Sequence, residues 1–457
     1  MSIGRAADAG RLRERLARTP DDGGAWLDLA IAEGNLGRAV EAEAAARRAI
    51  DLGLQGSEAH LVLARALQSQ RKLDDAEREL EVALRERPNY ADAQRDYAQL
   101  LWMRSGSVER ALRRLDATLA ASPYDAGLHW VRSIVLEFVG DPPAALAAAE
   151  RAIACEPGDA ELLMQTARLR AKAGDTARAL CLARAALEAT PGWSTQIALC
   201  EVLLAAGEVD LATTMIAQLR EALPPDQYVI ALQATAWRLR ADPRYHDLYD
   251  YGSLVTVQTL DPPPGWTHLD DFLRDVVAEL EALHAFVAHP FRQSVRGGGQ
   301  LSLQEHDIAQ PVIRALFASL HAAVARHLAG VGGGTDPMRS RNTGRAAFTG
   351  AWSVRLSSGG SHMDHVHPRG WLSSACYLAL PTTIGSGAAL VTGTHDRAGW
   401  LRFGRPGIPT DPTLGGDHFV RPEPGLLALF PAYIWHGVEP FVSEEPRLTV
   451  AFDVLPA

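Results

Sequence analysis

The sequence predicts a chain of the α + β multidomain class, in which an all-α helical solenoid is followed by a domain of helices and then strands. Two observations predict this order. Prolines and alanines recur at a fixed period through the first half, and short apolar segments separated by glycine and proline dominate the C-terminal part. A cluster of histidines within that part points to the chemistry.

Composition narrows the function classes. The chain has 457 residues, 47% of them hydrophobic and 22% charged, which is typical of a soluble protein with two or three domains. Its net charge of -10 disfavours a partner bound through phosphates, so no nucleic acid is expected. The N-terminus has no apolar signal core and no stretch of about 18 apolar residues occurs. We therefore expect a cytoplasmic protein without a membrane partner, whose cysteines are reduced thiols because they lack CxxC spacing.

A repeat organises the first half. Pro88, Pro123, Pro157 and Pro191 follow one another at intervals of 34 or 35 residues. Small residues keep the same phase: Ala64, Ala76, Ala83, Ala145, Ala149, Ala152, Ala167, Ala179, Ala183 and Ala186. Alanine lets two antiparallel helices approach closely, and proline ends one helix before the next begins. The pattern predicts a helical solenoid over residues 1–236.

Together with Trp26, Leu29 and Gly37, this period resembles the tetratricopeptide repeat family over about residues 20–225. The resemblance implies a concave groove that binds a peptide or protein partner. His60 and His129 lie within the helical pattern and are interpreted as packed or solvated side chains.

The alanine period stops at Trp237. Residues 237–266 are predicted to be a linker with one short strand at residues 254–260, because the segment gains tyrosines and ends in three prolines and a glycine.

The remaining residues, 267–457, predict helices followed by strands. Helical periodicity covers residues 268–288 and 308–329. The glycines Gly297 to Gly299 between them lack a following Lys-Ser/Thr, so a turn or substrate-facing loop is predicted rather than a phosphate-binding loop. Predicted strands suggest a barrel or a double-sheet jelly roll; they are Trp352–Leu356, Leu372–Leu380, Ala388–Val391, Gly425–Phe430 and Leu448–Val454.

Candidate metal ligands crowd one strand of this domain. His362, Asp364, His365 and His367 lie within six residues, and His436 follows far downstream. An imidazole cluster with one remote histidine can form a metal site from two strands that are distant in sequence. Because alternate residues share a face of a regular strand, His365 and His367 point together, whereas His362 and Asp364 point to the opposite face.

The segments WSVRLSSGGSHMDHVHPRGWLSSACYLALP and GLLALFPAYIWHGVEPFVSEEPRLTVAFDV are similar to the iron(II)- and 2-oxoglutarate-dependent oxygenases, specifically a family that often follows tetratricopeptide repeats. The similarity covers about residues 250–457. It implies a double-stranded β-helix (jelly roll), bound Fe(II), 2-oxoglutarate as cofactor and O2 as cosubstrate. It also implies that His436 is the distal iron ligand and that Arg447 pairs with the far carboxylate of 2-oxoglutarate. Thr449 and Tyr377 are further candidates to hydrogen-bond this cosubstrate.

The resemblance leaves two choices for the proximal ligands. Members of the superfamily carry an H-x-D/E pair about six residues after a glycine turn, and counting from Gly359 reaches His365. This favours His365, His367 and His436 as ligands, with His367 in place of the carboxylate. The alternative is His362 with Asp364, which restores H-x-D literally. In the first case Asp364 stays a candidate to accept a hydrogen bond from an imidazole N–H.

These observations predict an Fe(II)- and 2-oxoglutarate-dependent dioxygenase that hydroxylates a peptide or protein side chain recruited by the repeats. The alternative is a non-catalytic interaction scaffold whose jelly roll is inactive or holds a structural metal. His289, His395 and His418 are interpreted as structural or solvated.

Overall fold

The computed structural model describes residues 2–384 and 397–457. The predicted strand Ala388–Val391 and His395 lie outside the described residues. The chain divides into two compact units, Met1–Glu156 and Pro157–Ala457.

The first unit is built of helix pairs. Its helices are α1 (Ser2–Arg18), α2 (Gly23–Asn35), α3 (Ala39–Asp51), α4 (Ser57–Ser69), α5 (Leu73–Glu86), α6 (Ala91–Ser105), α7 (Val108–Ala121), α8 (Ala126–Val139) and α9 (Pro142–Cys155). Side chains of Asp22, Ser107 and Asp125 cap three of them by accepting hydrogen bonds from backbone N–H groups of the first turn. Pro88 and Pro123 lie between helices, as predicted.

The second unit begins with five further helices of the same kind. They are α10 (Ala160–Lys172), α11 (Thr176–Ala189), α12 (Trp193–Ala205), α13 (Val209–Ala222) and α14 (Gln227–Leu239). Every alanine of the predicted period, in both units, is at most 1% exposed. The prediction of an N-terminal helical solenoid is therefore confirmed, and the buried alanines explain how its paired helices pack closely.

A sheet domain follows these helices in the second unit. Its helices are α15 (Arg244–Leu248), α16 (Tyr251–Leu254), α17 (Leu269–Leu283), α18 (Glu305–Ile308) and α19 (Pro311–Val331). Its strands are β1 (Thr256–Thr259), β2 (Val295–Ser302), β3 (Ala346–His365), β4 (Leu372–Ala379), β5 (Leu401–Phe403), β6 (His418–Val420), β7 (Leu426–Pro431), β8 (His436–Val438) and β9 (Arg447–Pro456).

The described strands form one antiparallel sheet in the order β1-β7-β4-β9-β3-β8-β5-β6, with β2 paired to β3. Except for β5 and β6, neighbours in this order are not consecutive in sequence, and the sheet is nearly barrel-like, as in a jelly roll. Its core contains the buried faces of α17 and α19, including Phe272, Ile313 and Leu320, which are 0% exposed. The predicted fold class is confirmed.

Helix α19 is long and apolar enough to span a membrane by length and composition, the only such helix among the described residues. Its buried residues Ile313, Leu316 and Leu320 recur every three or four positions and join the core of the sheet domain. This is the packing of an amphipathic core helix.

The glycines Gly297 to Gly299 are part of strand β2, so the prediction of a turn or loop there is wrong. Glycine is needed because the two strands approach closely: a Cβ on Gly298 would lie 2.2 Å from the carbonyl oxygen of Arg355. Composition alone suggested a turn, whereas strand contact explains these glycines.

Residues 237–266, predicted to be a linker, pack into the core of the second unit. Tyr245, Tyr249 and Leu254 are at most 4% exposed, and β1 within this segment pairs with β7. The Tyr249 hydroxyl donates to the carbonyl oxygen of Tyr433 at 2.9 Å. The predicted boundary at residue 236 stays a prediction, but this segment is not a free connector.

The last repeat helices are joined to the sheet by specific hydrogen bonds. Trp435 Nε1, immediately before β8, donates to Thr235 Oγ1 of α14 at 2.9 Å. Arg238 Nη1 donates to the carbonyl oxygen of Gly404 at 3.0 Å, and the backbone N–H of Asp411 donates to the carbonyl oxygen of Leu204 at 3.1 Å. Helices α12 and α14 are therefore fixed against the strands that carry the candidate site.

Candidate metal centre

Three histidines converge at one end of the sheet. His365 ends β3 and is the register partner of His436, which begins β8. His367 lies in the turn after β3, where its backbone N–H donates to the carbonyl oxygen of Ala432 at 3.0 Å. One ring nitrogen from each of the three lies within 4.8 Å of the other two. This is a spacing at which one metal ion can contact all three.

Hydrogen bonds determine which nitrogen of two of these rings carries the proton. His365 Nδ1 is 2.8 Å from the carbonyl oxygen of Met363, and His436 Nδ1 is 2.9 Å from that of Ile434. Because a carbonyl oxygen only accepts, both Nδ1 atoms donate, and each Nε2 keeps its lone pair. A neutral imidazole with a free Nε2 is the form that binds a metal.

A buried carboxylate orients the third ring. His367 Nδ1 is 2.7 Å from Asp453 Oδ2, and Ser373 Oγ donates to Asp453 Oδ1 at 3.0 Å. A carboxylate that accepts from Nδ1 fixes the ring and makes Nε2 a better metal ligand. The sequence reasoning missed Asp453, although a single acid in the apolar strand LTVAFDV was a signal that could have identified it.

The arrangement is electrostatically suited to a cation. The Nε2 atoms of His365 and His367 lie 3.1 Å apart, and their lone pairs repel unless a positive charge lies between them. Burial, with the nearby charge of His367, lowers the pKa of His365 to about 3. Burial also holds the pKa of His436 well below its usual value. Both rings are therefore neutral at pH 7, and a metal ion supplies the positive charge better than a proton does.

Aromatic side chains enclose the cluster. The Phe430 ring meets His436 edge-on at a centroid distance of 4.6 Å, and Trp352 meets His367 at 6.0 Å. These apolar surfaces limit the access of water to the rings and strengthen electrostatic interactions among them.

Asp364 lies outside the three-histidine group. Its Oδ1 accepts from Arg402 Nε at 3.0 Å, and its Oδ2 accepts from Arg405 Nε at 2.5 Å. The expectation that Asp364 accepts from an imidazole is therefore wrong: the two guanidinium groups hold its carboxylate, and Asp453 accepts from the imidazole instead. The alternative choice of ligands would require Asp364 to leave these two partners.

His362 also lies apart from the group. Its Nδ1 is 3.1 Å from Ser294 Oγ, and its ring centroid is 6.1 Å from that of His365. The register of β3 shifts between His362 and His365, and β3 ends before His367. The rule of alternate residues on one face therefore does not extend through this segment, because the strand is irregular and then stops.

A second set of candidate residues lies on the neighbouring strands β4 and β9. Tyr377 of β4 is the register partner of Thr449 of β9, so their side chains share a face of the sheet. Arg447 is two residues before Thr449 and points the same way. All three side chains are buried.

Arg447 and Tyr377 carry buried polar atoms without hydrogen-bond partners among the described residues. They are Nε and Nη1 of Arg447 and the hydroxyl of Tyr377. Arg447 is 2% exposed, and its Cζ lies 5.1 Å from the centre of the Tyr377 ring. A buried guanidinium without a counter-charge is costly, so a bound anion would stabilise it. Burial holds the pKa of His362 well below its usual value, and the nearby charges of His365 and Arg447 lower it further.

The other histidines make ordinary structural contacts. His418 stacks on Tyr251 at 4.8 Å, and His289 is buried. His60 Nδ1 contacts Glu79 at 2.6 Å, and His129 Nε2 donates to the carbonyl oxygen of Pro123 at 2.8 Å. None of these four rings belongs to the cluster within the described residues.

Asp453→Asn is expected to lower metal affinity about 10–100-fold, because the neutral amide no longer strengthens His367 as a ligand. Competition with a chelator of known affinity measures this loss. Ser373→Ala is the matched control, since it removes only the hydroxyl that donates to Asp453 and should have the smaller effect. Equal metal affinity in the wild type and Asp453→Asn would contradict the role given to this carboxylate.

Comparison with known proteins agrees with the two kinds of architecture. A family model described as "Tetratricopeptide repeat" matches residues 61–126 and 133–192. A family model described as "Putative 2OG-Fe(II) oxygenase" matches residues 350–453, which include the three histidines, Arg447, Thr449 and Tyr377. The resemblance to both families is therefore confirmed. The search of curated proteins found no match.

Several solved structures resemble part of this chain, and the first of them is described as a tetratricopeptide repeat protein. A thermophilic protein of this kind from Thermus thermophilus is 23% identical, covering 40% of this chain and 99% of its own, with a TM-score of 0.33. Pseudomonas aeruginosa pilF is 18% identical, covering 46% of this chain and 94% of its own, with a TM-score of 0.34. Yeast Tom70 is 14% identical and covers 55% of each chain, with a TM-score of 0.42.

Proposed function

We propose that the protein is an Fe(II)- and 2-oxoglutarate-dependent dioxygenase that hydroxylates a side chain of a peptide or protein bound by its repeats. The observation that carries the proposal is the pairing of three convergent imidazoles with a buried arginine on the same sheet that has donor atoms unpaired among the described residues. The matching oxygenase family supports it. A cytoplasmic location stays a prediction.

The histidines fit the metal that the proposal requires. His365, His367 and His436 offer three converging nitrogen donors, and three protein ligands would leave further coordination positions for small molecules. Many iron(II) oxygenases use two histidines and one carboxylate, whereas here the carboxylate of Asp453 acts through His367. Bound Fe(II) would activate O2 and couple decarboxylation of 2-oxoglutarate to hydroxylation of the substrate.

The arginine fits the cosubstrate. A guanidinium donates charge-assisted hydrogen bonds to a carboxylate, and Nε and Nη1 of Arg447 have no partners among the described residues. Thr449 and Tyr377 place hydroxyl groups on the same face as Arg447, where they can donate to the same carboxylate. These three residues would hold the far carboxylate of 2-oxoglutarate and orient its other end toward the histidines.

The opposing proposal is an interaction scaffold with a structural metal. Structural zinc sites are closed by four protein ligands, whereas the described group offers three. A structural metal also gives no reason for a buried arginine without a counter-charge. Both observations favour the enzyme.

Release of succinate from 2-oxoglutarate tests the proposal. Full-length protein is loaded with Fe(II) without oxygen, mixed with 2-oxoglutarate and exposed to air. We expect succinate to form above the level of metal-free protein even without substrate, because such sites turn over slowly when uncoupled. Failure both to bind Fe(II) and to release succinate would favour the scaffold.

A further inference from the structure

A pocket of about 690 Å³ lies between the last repeats and the sheet domain, entirely within the second unit. One wall is formed by α10, α12 and α14. The opposite wall is formed by Pro368 and by Gly407, Ile408 and Pro409 of the loop after β5. Because this pocket combines repeat helices with a loop of the sheet domain, neither part of the chain forms it alone.

The wall of the pocket contacts the chain next to each candidate metal ligand. Pro368 directly follows His367. The backbone of Gly407 packs on Asp364, which precedes His365, so closely that a Cβ would lie 2.1 Å from the Asp364 carbonyl oxygen.

A residue of repeat helix α14 packs next to the third candidate ligand, His436. The Tyr228 ring, part of the pocket, meets Trp435 edge-on at 5.7 Å, and Trp435 precedes His436. The wall of the pocket therefore includes or contacts residues that directly flank all three candidate ligands.

The base of the pocket is a rigid polar network. Glu201 is 4% exposed and accepts from Arg168 Nε at 2.6 Å, from Arg168 Nη2 at 3.0 Å and from the Tyr228 hydroxyl at 2.8 Å. Burial and the charge of Glu201 hold the pKa of Tyr228 well above its usual value, so its hydroxyl stays a donor. The network fixes the base of the pocket before anything binds.

The lining indicates the chemistry of the occupant. Its charges balance, with two carboxylates, Glu161 and Glu201, against two cations, Arg168 and Lys172. The rest of the surface is largely apolar and includes Met164, Ile197, Val202, Ile408 and Pro409. Gln165 and Ser194 add an amide and a hydroxyl that suit a peptide backbone. A neutral, mostly apolar segment is therefore favoured over a strongly charged one.

The dimensions favour a polypeptide. Packed helices lie about 8–10 Å apart, so the row α10, α12 and α14 spans about 16–20 Å. An extended chain covers about 3.3–3.6 Å per residue, which gives room for about five or six residues.

We propose that this pocket binds a neutral, mostly apolar segment of the polypeptide substrate a few residues away from the side chain that is oxidised. This inference rests on the proposed dioxygenase function, because it places the substrate relative to the metal centre. The repeats then present the substrate through a composite pocket at the sheet domain.

Binding of short synthetic peptides tests the inference without any metal. Full-length protein is titrated into three pools of fluorescently labelled peptides of about six residues, and binding is measured by fluorescence anisotropy. The first pool is neutral and apolar, the second is acidic and the third is basic. We expect the neutral pool to bind best. Ser194→Trp, at an exposed position of α12, should fill the pocket and weaken this binding at least about tenfold, or about 1.4 kcal/mol.

Thr214→Trp is the matched control, because Thr214 is an exposed hydroxyl residue of α13 outside the pocket lining. It should leave binding unchanged, and equal thermal midpoints of the two variants show that both are folded. Preference for a charged pool, equal binding by the wild type and Ser194→Trp, or no binding by any pool would overturn the inference.

Failure here is distinguishable from failure of the proposed function. Peptide binding requires neither metal nor 2-oxoglutarate, whereas succinate release requires both and does not depend on the pocket. Succinate release without peptide binding would contradict only the proposal that this pocket binds the substrate. Peptide binding without Fe(II) binding or succinate release would contradict the proposed dioxygenase activity, and the pocket would then be a peptide-docking site.

Discussion

Arg447→Met is expected to abolish succinate release at ordinary 2-oxoglutarate concentrations while leaving the fold intact. Methionine has a similar length but no charge and no N–H groups, so the far carboxylate of the cosubstrate loses its charged hydrogen-bond donor. Truncating one side of a buried, hydrogen-bonded charge pair costs about 2–5 kcal/mol, which corresponds to a loss of affinity of about 30-fold to several thousand-fold. Titration of 2-oxoglutarate against the iron-loaded variant measures the change.

The same variant separates a binding role from a structural one. Because Nε and Nη1 of Arg447 are buried without partners among the described residues, their removal should leave the thermal midpoint of the ligand-free protein unchanged or higher. Arg447→Lys is the matched control: it keeps the charge but not the planar fork, and it should bind 2-oxoglutarate with intermediate affinity. A lower thermal midpoint together with unchanged affinity for 2-oxoglutarate would assign Arg447 to the fold instead.

His367→Ala is expected to lose bound Fe(II), whereas Asp364→Asn is expected to keep it. The first change removes one of three converging nitrogens, so its effect should exceed the about 10–100-fold loss expected for Asp453→Asn. The second change affects a carboxylate that is held by Arg402 and Arg405 and lies outside the group. Metal content after gel filtration distinguishes the two variants.

Stability provides the complementary measurement for this pair. Breaking a buried ion pair by removing one partner costs about 3–5 kcal/mol, so Asp364→Asn should lower the thermal midpoint of the metal-free protein although it keeps Fe(II). Full Fe(II) occupancy in His367→Ala together with loss of Fe(II) in Asp364→Asn would favour His362 and Asp364 as the ligand pair.

Much of the fold could be predicted because its signals are local. A period of 34 or 35 residues in proline and alanine is sufficient to predict the solenoid, since each helix pair must bury the same small residues against its neighbours. Helical periodicity likewise placed α17 and α19 to within a few residues. The prediction from local composition was wrong at Gly297 to Gly299, because these glycines allow close contact with a strand distant in sequence and do not form a turn.

The candidate site was predicted in part. Residue types and the oxygenase resemblance singled out the histidines and Arg447, but the assignment of the ligands stays a prediction until metal is measured. Counting along a regular strand could not describe the segment, because the register of β3 shifts after His362 and the strand ends at His365. Asp453 was missed because only the pairing of β9 with β3 and β4 brings it to His367.

The sequence by itself determined the order of the architecture and the set of side chains able to bind a metal and a carboxylate, because periodicity and residue type are properties of short segments. Only the tertiary structure decided which of those side chains meet. Strand pairing brings β3 beside β8, and the distant carboxylate of Asp453 orients the His367 ring. The packing of α14 on Trp435 likewise places the composite pocket beside the histidines. Contacts between distant segments depend on the packing of the whole unit, and no local pattern encodes them.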